Sequence, residues 1–130
     1  MQDIVKILTH WAGWVTRCGN DIHYKGVASK FKLARPKIAK SDLACSTQDG
    51  NMIEECMLRL KACRAEEYEL LVLHYLFRVS KRQLARMTKR DEKIIRIKIQ
   101  LAERFIEGSI YTLKNNFDMN EGFYKHAVAV

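Results

Sequence analysis

A single proline and six glycines in 130 residues leave few points at which a helix must break, and that scarcity predicts an all-α protein. No run of about 18 apolar residues occurs, so no membrane span is expected. The four cysteines, Cys18, Cys45, Cys56 and Cys63, contain no Cys-x-x-Cys pair, which removes a zinc ribbon. Cys56 and Cys63 lie seven apart in one helical segment, on one face but too distant along the axis for a disulfide. Four reduced thiols in a cytoplasmic protein are the expectation. His10, His23, His74 and His126 show no metal-ligand spacing. The chain also lacks a glycine-rich phosphate loop, a nucleophile–base motif and purposeful paired carboxylates, so neither an enzyme nor a cofactor or metal is expected. The first fifteen residues carry no basic n-region or cleavage site, and no secretory signal is expected.

What the chain does have is positive charge. The net charge is +8 and 48% of residues are hydrophobic, a length and composition that suit one domain with a real core. A small basic domain points to a polyanion. The excess is concentrated in two blocks. Residues 78–98 hold nine Lys or Arg against two acids, Asp91 and Glu92. Residues 25–40 hold Lys25, Lys30, Lys32, Arg35, Lys37 and Lys40 with no acid.

Hydrophobic periodicity organises the rest. Ile4, Val5, Ile7, Leu8, Trp11, Trp14 and Val15 recur at helical spacing, predicting a helix over 3–18 that starts at Asp3 and closes at Gly19-Asn20. Trp11 and Trp14 suit either core packing or an anchor facing a partner. Residues 20–50 are a basic loop region with a short helix around 27–31. A helix over 51–63 takes Asn51 as N-cap, with Glu54 completing a capping box. It buries Ile53, Cys56, Met57, Leu60 and Cys63. Residues 65–77 are apolar on several sides and central to the core, with Glu66 and Glu67 in the first turn. His74 in that segment reads as a satisfied core histidine.

Ser80 then caps a short helix, 81–87, that buries Leu84 and Met87. Lys89-Arg90 makes a turn without glycine, and Asp91 caps a last helix running to about residue 113. Its buried line is Ile95, Ile99, Ala102, Ile106 and Ile110. Asn115-Asn116 reads as its stop, and 115–130 as a C-terminal tail.

Residues 66–113 thus read as a helix-turn-helix, whose second helix enters the DNA major groove. With the Ile95 line inward, Glu92, Lys93, Arg96, Ile97 and Gln100 face outward. Lys93 or Arg96 suits guanine O6 and N7, Gln100 adenine, Ile97 a thymine methyl and Glu92 cytosine N4. Ser80, Lys81, Arg82 and Arg90 sit at turn positions suited to phosphates. A helical bundle with a solvated basic face is the plainer alternative. The 25–40 block is either a solvated loop or a patch for nascent RNA, upstream DNA or polymerase.

An ungapped comparison with sigma-factor region 4 puts Ser80 where such motifs often carry Thr. It also puts Leu84, Ala85, Ile95, Arg96 and Ala102 on matching positions. Thr88 departs from the pattern, standing where an apolar residue is usual, with Met87 beside it. Three stretches, LTHWAGWV, YELLVLHYLFRVSKRQLAR and KIQLAERFIEGSI, resemble the phage antitermination protein Q family of the type with a sigma-region-4-like domain. The resemblance spans about residues 3–113. It implies a late-gene regulator that binds double-stranded DNA at the late promoter and engages bacterial RNA polymerase, with or without sigma, in the host cytoplasm. It would then travel with polymerase through terminators. Two rivals stand beside it: an activator or repressor that never rides polymerase, and a polymerase- or sigma-binding protein with no DNA site. Oligomeric state is left open.

Overall fold

The computed structural model describes residues 3–18, 23–32 and 44–126, with side chains as far as residue 114. Among these residues the architecture is all-α, with six helices: α1 (Ile4–Arg17), α2 (Lys25–Lys30), α3 (Thr47–Cys63), α4 (Ala65–Tyr75), α5 (Lys81–Thr88) and α6 (Glu92–His126). No described helix is long and apolar enough to cross a membrane.

Capping decides where most of these helices start. Asp3 accepts the Val5 N–H (3.0 Å) at the head of α1, and Ser80 accepts that of Gln83 (3.1 Å) at the head of α5. Each satisfies a donor that the first turn leaves without an intrahelical partner. The start of α3 differs from the sequence expectation. Ser46 is the cap, accepting from Asp49 N (3.1 Å), and the helix begins one turn before Asn51. Both Ser46 and Asn51 are good caps by type. The earlier one wins because the added turn brings Gly50 under the Trp14 ring.

The last helix also departs from expectation, for it continues past Asn115-Asn116 to His126. Two asparagines cost a helix well under 1 kcal/mol each relative to alanine, too little to end one with about six turns already formed. The expected close of α1 at Gly19-Asn20 lies outside the described residues.

Buried side chains form one connected core drawn from α1, α2, α3, α4, α5 and α6. Helix α4 lies at its centre, with Tyr68, Leu70, Leu71, Val72, Leu73 and Tyr75 buried around its circumference. Trp11 and Trp14 are 0% and 4% exposed, so both belong to the core. Trp11 Nε1 donates to Glu54 Oε2 (3.0 Å), and the Tyr24 hydroxyl donates to the same oxygen. One carboxylate of α3 thereby holds α1 and the segment leading into α2. Cys63 is the exception to the expected α3 stripe: it is exposed, whereas Cys56 is fully buried. The chain turns into α4 at Arg64, where the packing surface ends. Met87 is only partly buried, and Ala85 takes the inward place beside Leu84. The described cysteines are all free thiols.

A Cβ at Gly50 would lie far inside contact distance of three Trp14 ring atoms. Gly50→Ala is therefore expected to destabilise the fold by about 1–3 kcal/mol, the usual cost of overpacking. Urea unfolding measures it, and an unchanged midpoint would mean the α1–α3 contact is looser than described.

Candidate nucleic-acid interface

Helices α5 and α6 are joined by only three residues, Lys89, Arg90 and Asp91. Without glycine, Lys89 itself adopts the left-handed conformation (φ 56°, ψ 42°) that ends α5, where glycine is normally favoured. Asp91 then caps α6, its carboxylate accepting the Lys93 N–H (3.0 Å). The departure at Thr88 is absorbed locally. Its hydroxyl donates to the Leu84 carbonyl (2.8 Å), and Met87 packs against the core beside it.

The rotation of α6 follows from its buried line. Ile95, Ile99, Ala102 and Ile106 are at most 1% exposed, and Ile110 is partly buried against the core. Lys93, Arg96, Ile97 and Gln100 are exposed, and Glu92 is half-buried. Among the turn candidates, Ser80, Arg82 and Arg90 are exposed and Lys81 is half-buried. All nine therefore lie on α5, the turn and the first turns of α6. The Ser80 oxygen is engaged in capping.

Two acids discipline the cations. Glu92 accepts from Arg96 Nε (3.0 Å) and Nη2 (2.6 Å), and Arg82 Nε lies 3.9 Å from its other oxygen. Glu66, on α4, pairs with Arg90 (2.7 Å) and Lys98 (2.9 Å). Its carboxyl is held below the ordinary value, chiefly by the Lys98 hydrogen bond and against a smaller opposing effect of burial. Exposed pairs of this kind contribute about 0–1 kcal/mol each. Their larger effect is geometric, since Glu66 fixes the turn and α6 to α4 while Glu92 ties α5 to α6. Lys93 and Gln100 make no side-chain bond to another described residue.

Sequence reasoning missed three members of this surface: Glu66, Arg86 and Ile94. Arg86 and Ile94 are exposed on α5 and α6, and Ile94 follows from the helical spacing once the Ile95 line is turned inward. Glu66 could not have been found this way, because 24 residues separate it from Arg90.

Behind the surface, α4 carries a buried tyrosine and a half-buried histidine with polar partners. Tyr75 donates to Glu103 Oε2 of α6 (2.5 Å), and its hydroxyl is pushed well up by burial and then by that carboxylate. The His74 ring Nδ1 donates to the Val79 carbonyl (2.8 Å), giving it the role of a satisfied core histidine. Burial lowers its pKa, Lys81 pushes the same way, and the Val79 bond and Glu103 oppose them.

The basic block at 25–40 is only partly described. Lys25, Lys30 and Lys32 are exposed, and Lys30 pairs with Glu69 of α4 (3.0 Å). Arg35, Lys37 and Lys40 lie outside the described residues. Among the described residues, no group of three His, Cys, Asp or Glu could hold a metal ion.

Comparison with known proteins adds a family. Residues 1–118 match the family described as phage antitermination protein Q. A probable antitermination protein Q of Acyrthosiphon pisum secondary endosymbiont phage 1 is 33% identical over 120 residues, 92% of this chain and 81% of the relative. The prophage antitermination protein Q homolog QuuD of Escherichia coli (strain K12) is 29% identical, over 92% and 94%. The antitermination protein Q of Escherichia phage 933W is 28% identical, over 92% and 83%. No solved structure is significantly similar.

A half-buried histidine whose pKa is lowered makes stability depend on pH. A lowered folded-state pKa means that the unfolded chain takes up the proton more readily. The stabilisation is thus complete above the ordinary histidine value of about 6.5 and is lost as pH falls. Glu66 adds a second loss of the same sign at lower pH. Melting temperature should fall between about pH 7 and 5.5, and His74→Gln, which keeps an N–H for Val79, should flatten that slope. An equally steep slope in the variant would clear His74 as its source.

Proposed function

The chain belongs to the phage antitermination protein Q family, and from that membership we propose that its α5–α6 unit binds a DNA element at a late promoter while the protein engages RNA polymerase. Phage transcription antitermination is the function of this family and of this chain. The proposal adds the division of labour: DNA recruits the protein to the promoter, and contact with polymerase carries the effect through terminators.

One observation carries the DNA reading. The buried Ile95–Ile99–Ala102–Ile106 line turns Lys93, Arg96, Ile97 and Gln100 outward at the start of α6, beside a three-residue turn and the exposed cations Arg82, Arg86, Lys89 and Arg90. Such an arrangement suits a helix-turn-helix, with a reading helix entering the groove and cations at the phosphates. Glu92 takes a different part from the cytosine contact its position suggests. With its carboxylate given to Arg96 and Arg82, it orients their guanidinium groups. The exposed start of the second basic block, Lys25, Lys30 and Lys32, is a further nucleic-acid contact in this reading, suited to nascent RNA or upstream DNA.

Binding of the full chain to a late-promoter duplex should weaken roughly a thousandfold between 50 and 200 mM salt if about six phosphates are neutralised. Lys93→Ala with Arg96→Ala should erase the preference for that duplex over a scrambled one. Lys89→Ala should weaken both duplexes alike and reduce the salt slope by about 1. A response flat in salt would contradict the proposal.

A further inference from the structure

Among the described residues six large hydrophobic side chains are exposed, and four of them lie on α6; Tyr111 is further along, and Ile94 (44%), Ile97 (50%) and Leu101 (50%) stand together in its first turns. Their spacing of three and four residues makes a single ridge along the helix. Lys93, Arg96 and Gln100 repeat the same spacing and form a parallel polar ridge, also exposed. The reading end of α6 is therefore divided lengthwise, apolar on one side and cationic or amide-bearing on the other.

Water should not cover such a ridge without cost, and its surroundings restrict what else can. Arg82, Arg86, Lys89 and Arg90 are exposed on the adjoining α5 and turn. An apolar partner brought here would have to desolvate that field, whereas a polyanion is drawn to it. Within the major groove of a duplex, the apolar group a side chain can meet is the thymine 5-methyl. Ile94 and Ile97 are separated by about 4.5 Å along the helix axis, close to the roughly 3.4 Å step between bases of one strand. We propose that the Ile94–Ile97 ridge reads the methyl groups of two neighbouring thymines, so that the DNA this protein prefers contains a thymine pair beside the bases met by Lys93, Arg96 and Gln100. Leu101, one turn further from the helix start, lies at the edge of this contact. The inference rests on the DNA-binding reading and adds the class of sequence recognised.

The test begins with selection from a randomised duplex library by the full chain. The selected duplex is then remade with deoxyuridine replacing each thymidine in turn, which removes one methyl and leaves the base-pairing edge unchanged. Affinity should fall about fourfold at each of two adjacent positions, the factor expected for one buried methyl. Ile94→Ala with Ile97→Ala should bind the thymine and uracil duplexes equally, while Leu101→Ala keeps most of the difference. Equal binding of both duplexes by the unmodified chain would overturn the proposal and leave DNA binding intact. Failure to enrich any duplex would remove the DNA reading and this inference together. If the double variant and Leu101→Ala weaken self-association or polymerase binding equally, without thymine dependence, the ridge belongs to a protein partner and the proposal fails.

Discussion

The burial of one line of side chains on α6 is the constraint on which the rest depends. Ile95, Ile99, Ala102 and Ile106 pack against α3, α4 and α5, and each large aliphatic side chain so buried contributes about 1.5–3 kcal/mol. That sum fixes the rotation of the helix. A turn of one residue would carry Arg96 inward and Ile95 outward, burying a charge among apolar side chains at a cost of several kcal/mol. The outward face is thus chosen by the inward one, and the cations stand where packing has put them.

Acidic residues are the minority in a chain of net charge +8, and their placement organises the cations and the interior. Glu54 joins α3 to Trp11 and Tyr24, while Glu103 joins α6 to Tyr75. Glu66 holds Arg90 and Lys98, and Glu92 holds Arg96 and Arg82. Each of the four links elements distant in sequence or joined through a turn. The first two satisfy polar atoms that would be costly to bury alone. The last two neutralise cations that would otherwise repel one another across a short turn, and they leave Lys93 and Gln100 as the less committed side chains at the start of α6.

Much of this was legible in the sequence because it depends on local rules. Ser80 and Asp91 mark the starts of α5 and α6 by cap chemistry, and the four- and three-residue spacing from Ile95 marks the inward face. The all-α class and the family resemblance follow from stretches that the structure places in α1, α4, α5 and α6. Contacts made through space were not legible. Glu66 reaches Arg90 and Lys98 only after α4 and α6 have packed, so its role has no local signature. Ser46 and Asn51 are both acceptable caps, and choosing between them needs the Trp14–Gly50 contact. Cys63 has the right spacing for the α3 stripe, but the packing surface ends before it. Asn115-Asn116 is a weak stop that an established helix overrides.

The central proposal is that the outward face of α6 brings the protein to the DNA from which it engages polymerase. Terminator read-through by purified polymerase tests it most directly, on late-promoter templates with and without the DNA element, using the full chain and its Lys93→Ala/Arg96→Ala variant. The account predicts read-through that requires the element and is lost in the variant. Undiminished read-through by the variant on both templates would contradict it, and would assign the activity to a surface other than the one that α6 turns outward.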